Sequence, residues 1–158
     1  MIAIDKGTGD ELRVHLEPGE TEVLRQLIDE LLDLLLTGET EDRVARRLFP
    51  DAYASAEDTA AFNELVSDQL RREKIKALQE MSNDLGRGEN EVFVLSRESS
   101  EIWLTALTDL RLALGTRLGM TEQRMAADFD PEDPQAPWLA VLHWLGWMQE
   151  SMLEAVNP

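Results

Sequence analysis

The chain has no cysteine among its 158 residues. Disulfides, thiolate nucleophiles, iron–sulfur clusters and sulfur-based zinc sites are therefore excluded. The absence also fits a reducing compartment. Bases are scarce: 15 lysines and arginines stand against 32 acids, a formal net charge of −17. So acidic a surface repels phosphate backbones, and direct nucleic-acid binding is not expected. Long apolar runs are missing too. The longest, Trp138 to Met148, is interrupted by His143 and is too short to span a bilayer. The opening residues, MIAIDKGTGDEL, lack the basic stretch and apolar run of a signal peptide. These absences lead to the expectation of a soluble, cytoplasmic protein.

What is present is ample for folding, since 43% of the residues are hydrophobic. The clearest pattern is a strand-turn-helix unit that occurs twice, 79 positions apart. In the first copy Leu12, Val14 and Leu16 alternate with polar residues, as in a strand with one buried face. Glu17-Pro18-Gly19 turns the chain, and Glu20, Thr21 and Glu22 open a helix that runs to about Leu36, with acids where the dipole favours them. Its apolar arc includes Leu24, Leu27, Ile28, Leu31 and Leu35, and Gly38 is placed to cap its end. In the second copy the strand is Val92-Phe93-Val94-Leu95, and Ser96, or alternatively Ser99, caps the helix Glu101–Gly119. At the common offset Leu16 matches Leu95, Leu24 matches Trp103, Ile28 matches Leu107, Leu31 matches Leu110 and Leu35 matches Leu114.

Between the copies the pattern predicts a short helix from Thr40 to Leu48, broken at Phe49-Pro50. A longer helical stretch then starts at Asp58 or Thr59. Its apolar face changes from Phe62, Leu65, Val66 and Leu70 to Ile75, Leu78 and Met81, which predicts two helices, or one kinked helix, with the change near residues 70–74. Gly86 to Asn90 has turn composition. Beyond the second copy, Met120–Asp130 predicts one more short helix. Pro131–Pro137 is a proline-rich connector, and Pro137 suits the first turn of a last helix from Trp138 to about Ala155. The expected fold is mainly α with a minor β part. It is a single domain over 1–158, with about five to seven helices and a two-stranded antiparallel ribbon whose strands lie near 11–16 and 91–95. An irregular N-terminus is expected over residues 1–9.

Arg111 is the least expected residue, because it falls among Leu107, Leu114 and Leu118 where the first copy has Leu32. A guanidinium there needs a partner. An ion pair with an acid on a neighbouring helix, or a stem that snorkels to the surface, is one reading. An anion-binding or partner-binding arginine is the other. The last helix carries Trp138, Trp144 and Trp147, and tryptophan beyond what one core can bury marks an interface, so Trp144 and Trp147 are candidate contact residues. His143 and Glu150 share its polar stripe, two turns apart and with no third ligand, which suits solvent better than a metal. The small basic patches around Arg43–Arg47 and Arg71–Lys76 read as helix-face salt bridges. His15 has no acid and nucleophile beside it in sequence, and the acids at 128–133 lack the glycine turn of a calcium loop. Gly86-Arg87-Gly88 is too short to cradle a phosphate. No enzyme, cofactor or metal is expected.

The run WLTALTDLRLALGTRLGM (Trp103–Met120) resembles an actinobacterial family of proteins of uncharacterised function that includes the oxidative-stress regulator AosR. Three other segments agree with it in order: LEPGETEVLRQLIDELLDLL, RRLFPDAY (Arg46–Tyr53) and WLAVLHWLGWMQESML. The resemblance implies a cytoplasmic protein that acts through other proteins. In redox-responsive members it implies paired cysteines that form a disulfide, and assistance to a stress sigma factor in transcription. The present chain departs from that pattern, having no thiol to oxidise, so an oxidation response would need methionine or a partner. The functional expectation is a non-enzymatic regulatory or adaptor protein in stress-linked transcription, with a sigma factor or another transcription component as its partner. Two alternatives stand beside it: a structural homodimeric module joined through the tryptophan helix, and a small-anion-binding protein using Arg111.

Overall fold

In the computed structural model, which describes residues 4–7, 9–37, 43–48, 60–87, 90–120 and 132–156, the chain begins with a hairpin. Strand β1 (Ile4–Lys6) pairs antiparallel with β2 (Leu12–His15), placing Ile4 opposite Val14 and Lys6 opposite Leu12. Gly9 adopts a positive φ of 67° in the connection, a conformation that side chains with a Cβ disfavour. Strand β3 (Val92–Leu95) joins the other side of β2, with Val14 opposite Phe93 and Leu12 opposite Leu95. The expected pairing of the two distant strands is therefore present. The expected two-stranded ribbon is corrected to a three-stranded antiparallel sheet, in the order β1-β2-β3. The added strand lies inside the segment expected to be irregular. Three residues, IDK, are too few to show alternation, and β1 forms because β2 offers it a hydrogen-bonding edge.

Helix α1 (Pro18–Thr37) starts with proline, whose missing N–H costs nothing at a first helical position. Glu20 Oε1 accepts a hydrogen bond from the Glu17 N–H at 3.0 Å, so one otherwise orphaned donor is satisfied. After the short α2 (Arg43–Leu48), helix α3 runs unbroken from Ala60 to Leu85. Of the two readings, two consecutive helices or one kinked helix, the chain adopts a single helix. Leu70, part of the first apolar face, points to solvent at 39% exposure, whereas Ala77, Leu78, Met81 and Leu85 are buried. The second apolar face, Ile75, Leu78 and Met81, is the one whose burial is seen, while the side chains of Phe62, Leu65 and Val66 lie outside the described residues.

Helix α4 (Arg97–Arg117) is capped by Ser96, whose Oγ accepts from the Ser99 N–H at 3.1 Å. Its far end closes through Gly119 at φ 66°. The Gly119 N–H reaches the Thr116 carbonyl at 3.1 Å and the Met120 N–H reaches Gly115 at 2.9 Å, a Schellman closure. The last helix, α5, covers Ala136–Val156, with Pro137 in its first turn. Four long helices and the six-residue α2 make up the helical structure among the described residues, fewer than the upper range expected. The expected Met120–Asp130 helix, the Gly38 and Thr40 caps and the Phe49–Pro50 break lie outside the described residues.

Helix α4 is the element around which the others assemble. It packs against α3, α5 and α2, and also meets α1 and β3, while α5 lies across α4 and the β1-β2 hairpin. Trp103 is wholly buried at its centre, with its ring 6.1 Å from that of Phe93, and its Nε1–H donates to Asp84 Oδ2 at 2.9 Å. No helix of the described residues is long and apolar enough to cross a membrane.

One charged group is enclosed with this core. Asp109 on α4 is 4% exposed and accepts a hydrogen bond from Lys74 Nζ of α3 at 2.9 Å, while its Oδ2 is buried with no partner among the described residues. Burial raises the Asp109 carboxyl above its ordinary value of 3.8, outweighing the hydrogen bond and charge of Lys74, which lower it. The folded chain therefore holds this proton more tightly than the unfolded chain. The stability so contributed is complete below pH 3.8 and is lost as pH rises through the raised folded value. Lys74→Met should destabilise the protein by about 3 kcal/mol at neutral pH, because it strands a buried carboxylate. Urea unfolding across pH should show that loss shrinking as pH falls through the raised value, because protonated Asp109 no longer needs an ammonium.

Candidate functional site

Arg111, His143 and Trp147 come together along the seam between α4 and α5, around a crevice of about 490 Å³. Helix α4 carries Arg111 into the seam, and α5 supplies His143, Gly146, Trp147 and Gln149 at helical spacing. Trp144 points elsewhere. It is half-buried, lines a separate pocket with Glu20 and Val23 of α1, and its indole Nε1 has no hydrogen-bond partner among the described residues.

The partner of Arg111 is not an acid. Its NH1 donates to Gln149 Oε1 at 2.7 Å, and among the described residues no carboxylate is paired with it. The Gln149 amide is held in turn. Its Nε2 donates to Thr108 Oγ1 at 2.5 Å and to the Leu104 carbonyl at 3.4 Å, and the Thr108 hydroxyl donates to that same carbonyl at 3.0 Å. A neutral amide orients the guanidinium without cancelling its charge. Arg111 Nε is buried and has no hydrogen-bond partner among the described residues. The guanidinium lies against the α5 backbone at Gly146, where an added Cβ would sit 3.2 Å from NH2.

The expected ion pair of Arg111 with a neighbouring acid is thus replaced by a glutamine, and the side chain is only half-buried. The enclosed ion pair belongs to Asp109 and Lys74 instead. Asp109 carried a legible signal, because it falls between Ala106 and Ala113 on the buried face of α4. Gln149 carried little, since one amide beside Glu150 reads as part of a solvated stripe. Among the basic patches, Arg71 approaches Asp68 at 3.7 Å one turn away, as expected of a helix-face pair. His15 Nε2 stands 3.7 Å from Asp5 Oδ2 across the hairpin, near the surface. His143 and Glu150 line the Arg111 crevice together, but among the described residues no three His, Asp or Glu side chains gather as metal ligands.

Trp147 is 40% exposed and Leu153, one and a half turns further along α5, 45% exposed. With Arg111 between the helices, this edge of the seam offers an aromatic ring, an aliphatic side chain and a cation, a combination enriched where proteins meet.

A family model described as a domain of unknown function, DUF2017, matches residues 1–156. Among curated proteins, the "Putative oxidative stress regulator AosR" of Mycobacterium leprae (strain TN) is 27% identical over a gapped alignment of 189 positions that covers 97% of this chain and 86% of that protein. No solved structure matches.

The seam geometry predicts the effect of filling the space at Gly146. Gly146→Ala should shift the Arg111 guanidinium by a few tenths of an ångström and loosen its hydrogen bond to Gln149, since the close contact falls on the end of a flexible side chain. Unfolding free energy should change by less than about 1 kcal/mol, because alanine is the better helix former. The Arg111 side-chain resonance in a ¹⁵N spectrum should move toward that of a solvated arginine.

Proposed function

The chain belongs to the DUF2017 family, and on that premise we propose that it is a non-enzymatic, cytoplasmic regulatory or adaptor protein working through protein contacts. The observation that carries this reading is the likeness, along 97% of the chain, to a protein named as an oxidative stress regulator. Its proposed partner is a component of the transcription machinery, a stress sigma factor in the first place. With a net charge of −17, recruitment through a protein partner is favoured over direct contact with DNA. Having no cysteine, the chain does not sense oxidants by thiol–disulfide exchange. Its part in a stress response is to dock, with the signal arriving through the partner or through methionine oxidation.

The surface proposed for docking is the α5 edge bearing Trp147 and Leu153. A half-exposed tryptophan beside an aliphatic side chain can bury substantial apolar area in a partner's groove. Homodimerisation through the same edge is the second reading, favoured by that same exposed pair.

Purified actinobacterial stress sigma factors, tested for binding by calorimetry, should include one that binds this chain. Trp147→Ala should weaken that binding about tenfold or more while leaving the melting temperature essentially unchanged. Absence of binding to any sigma factor, or binding indifferent to Trp147, would count against the proposal. Sedimentation velocity distinguishes the second reading, since a dimer at micromolar concentration that Trp147→Ala dissociates would favour self-association.

A further inference from the structure

A second cavity, of about 510 Å³, shares Arg111 and Leu142 with the Trp147 crevice, and Arg47 of α2 also lines it. Two arginines from different helices thus border one space, and among its described lining residues there is no acid. That is unexpected in a chain with 32 acids and 15 bases. The two threonines of the lining do not offset it. Thr108 and Thr116 spend their hydroxyl protons on the Leu104 and Leu112 carbonyls, at 3.0 and 2.7 Å. The side-chain donors left for a ligand are guanidinium N–H groups. Leu112, Met120 and Leu142 make the rest of the wall apolar.

Arg111 is also built into position. Gln149 fixes NH1 without neutralising it, and the absence of a Cβ at Gly146 lets the guanidinium lie flat along α5. A half-buried cation held by a neutral amide is the arrangement that an incoming anion completes. The cavity runs along the C-terminal half of α4, from Thr108 to Gly119, where the helix dipole is negative. That field opposes any anion and a dianion about twice as strongly, so the two guanidinium groups must outweigh it, and no helix N-terminus of α4 or α5 opens into the space to cradle a phosphate. A singly charged group with an apolar body matches both the cations and the walls.

We propose that this cavity between α2, α4 and α5 is a binding site for a small organic monocarboxylate. Arg111 and Arg47 take the carboxylate, and Leu112, Met120 and Leu142 cover the apolar body. Gln149 and Gly146 are positioning residues that hold Arg111 in place. The site stands independently of the regulatory reading, because it requires no protein partner.

The test uses the full chain with hexanoate as the probe. Titration calorimetry and thermal melts compare hexanoate with hexan-1-ol, inorganic phosphate and sodium chloride at matched ionic strength. Hexanoate should bind saturably and raise the melting temperature, while the alcohol and chloride should not. Arg47→Gln, which alters an exposed residue, should weaken hexanoate binding about tenfold. Arg111→Met should weaken it at least as much and Gly146→Ala by a smaller but measurable factor, and Arg47→Gln keeps the test decisive should Arg111→Met fail to fold. An unsaturable hexanoate response in the wild type would overturn the proposal. So would equal binding by the Arg47 and Gly146 variants, or a phosphate response as strong as that to hexanoate.

Discussion

A helix that is buried over most of its circumference has little surface to give to water, and the other elements are obliged to enclose it. That constraint belongs to α4. Trp103, Ala106, Leu107, Leu110, Ala113 and Leu114 are buried, and between Glu101 and Thr108 only the stripe of Glu101, Thr105 and Thr108 is exposed. Helices α3 and α5 and the short α2 pack against it, and the sheet closes over its first turns through Phe93 and Trp103. Enclosing α4 also encloses Asp109, so Lys74 must come from α3 to meet it. It leaves Arg111 at the α4-α5 seam, where Gln149 receives it. The polar features of the protein are consequences of what this helix forces its neighbours to do.

The repeated unit gives the packing an internal order. Helices α1 and α4 begin 79 residues apart, at Pro18 and Arg97, the same offset that aligns the two copies in sequence. Equivalent residues share their burial: Leu24 with Trp103, Ile28 with Leu107, Leu31 with Leu110, and even the polar pair Thr21 and Ser100. The strands meet in a matching way. Val14 and Phe93 are equivalent by that offset and face each other across the β2-β3 ladder, so the two strands are related about that pair by an approximate two-fold axis. The copies differ where the candidate site lies. At the position of half-buried Leu32 in the first copy, the second has Arg111 facing α5.

Legibility followed interaction range. The strand-turn-helix units, the Ser96 cap and the Pro137 start rest on contacts within a few residues, and they could be read directly. β1 could not, because three residues carry no period and the strand exists only as a partner of β2. Nor could the sequence choose between two helices and one at α3, since a change of apolar face is compatible with a break, a kink or an unbroken helix. At the candidate site Arg111 stood out as a charge in an apolar arc. Gln149 lies 38 residues away and is chemically neutral, so nothing in its own neighbourhood marked it as the partner.

Sequence by itself determined which segments become helix or strand, which faces turn inward, and which chemistry is excluded, cysteine redox sensing above all. These follow from periodicity, capping and composition, which act locally or as sums over the chain. Tertiary structure alone decided that Asp109 rather than Arg111 forms the enclosed ion pair, and that Arg111 rests on an amide beside a glycine. It alone brought Arg47 and Arg111 to one cavity and left Trp147 exposed while Trp144 lines a separate pocket beside α1. Those outcomes depend on the angle and register at which helices distant in sequence meet. Both are set by the fit of whole surfaces, which no local stretch of sequence encodes.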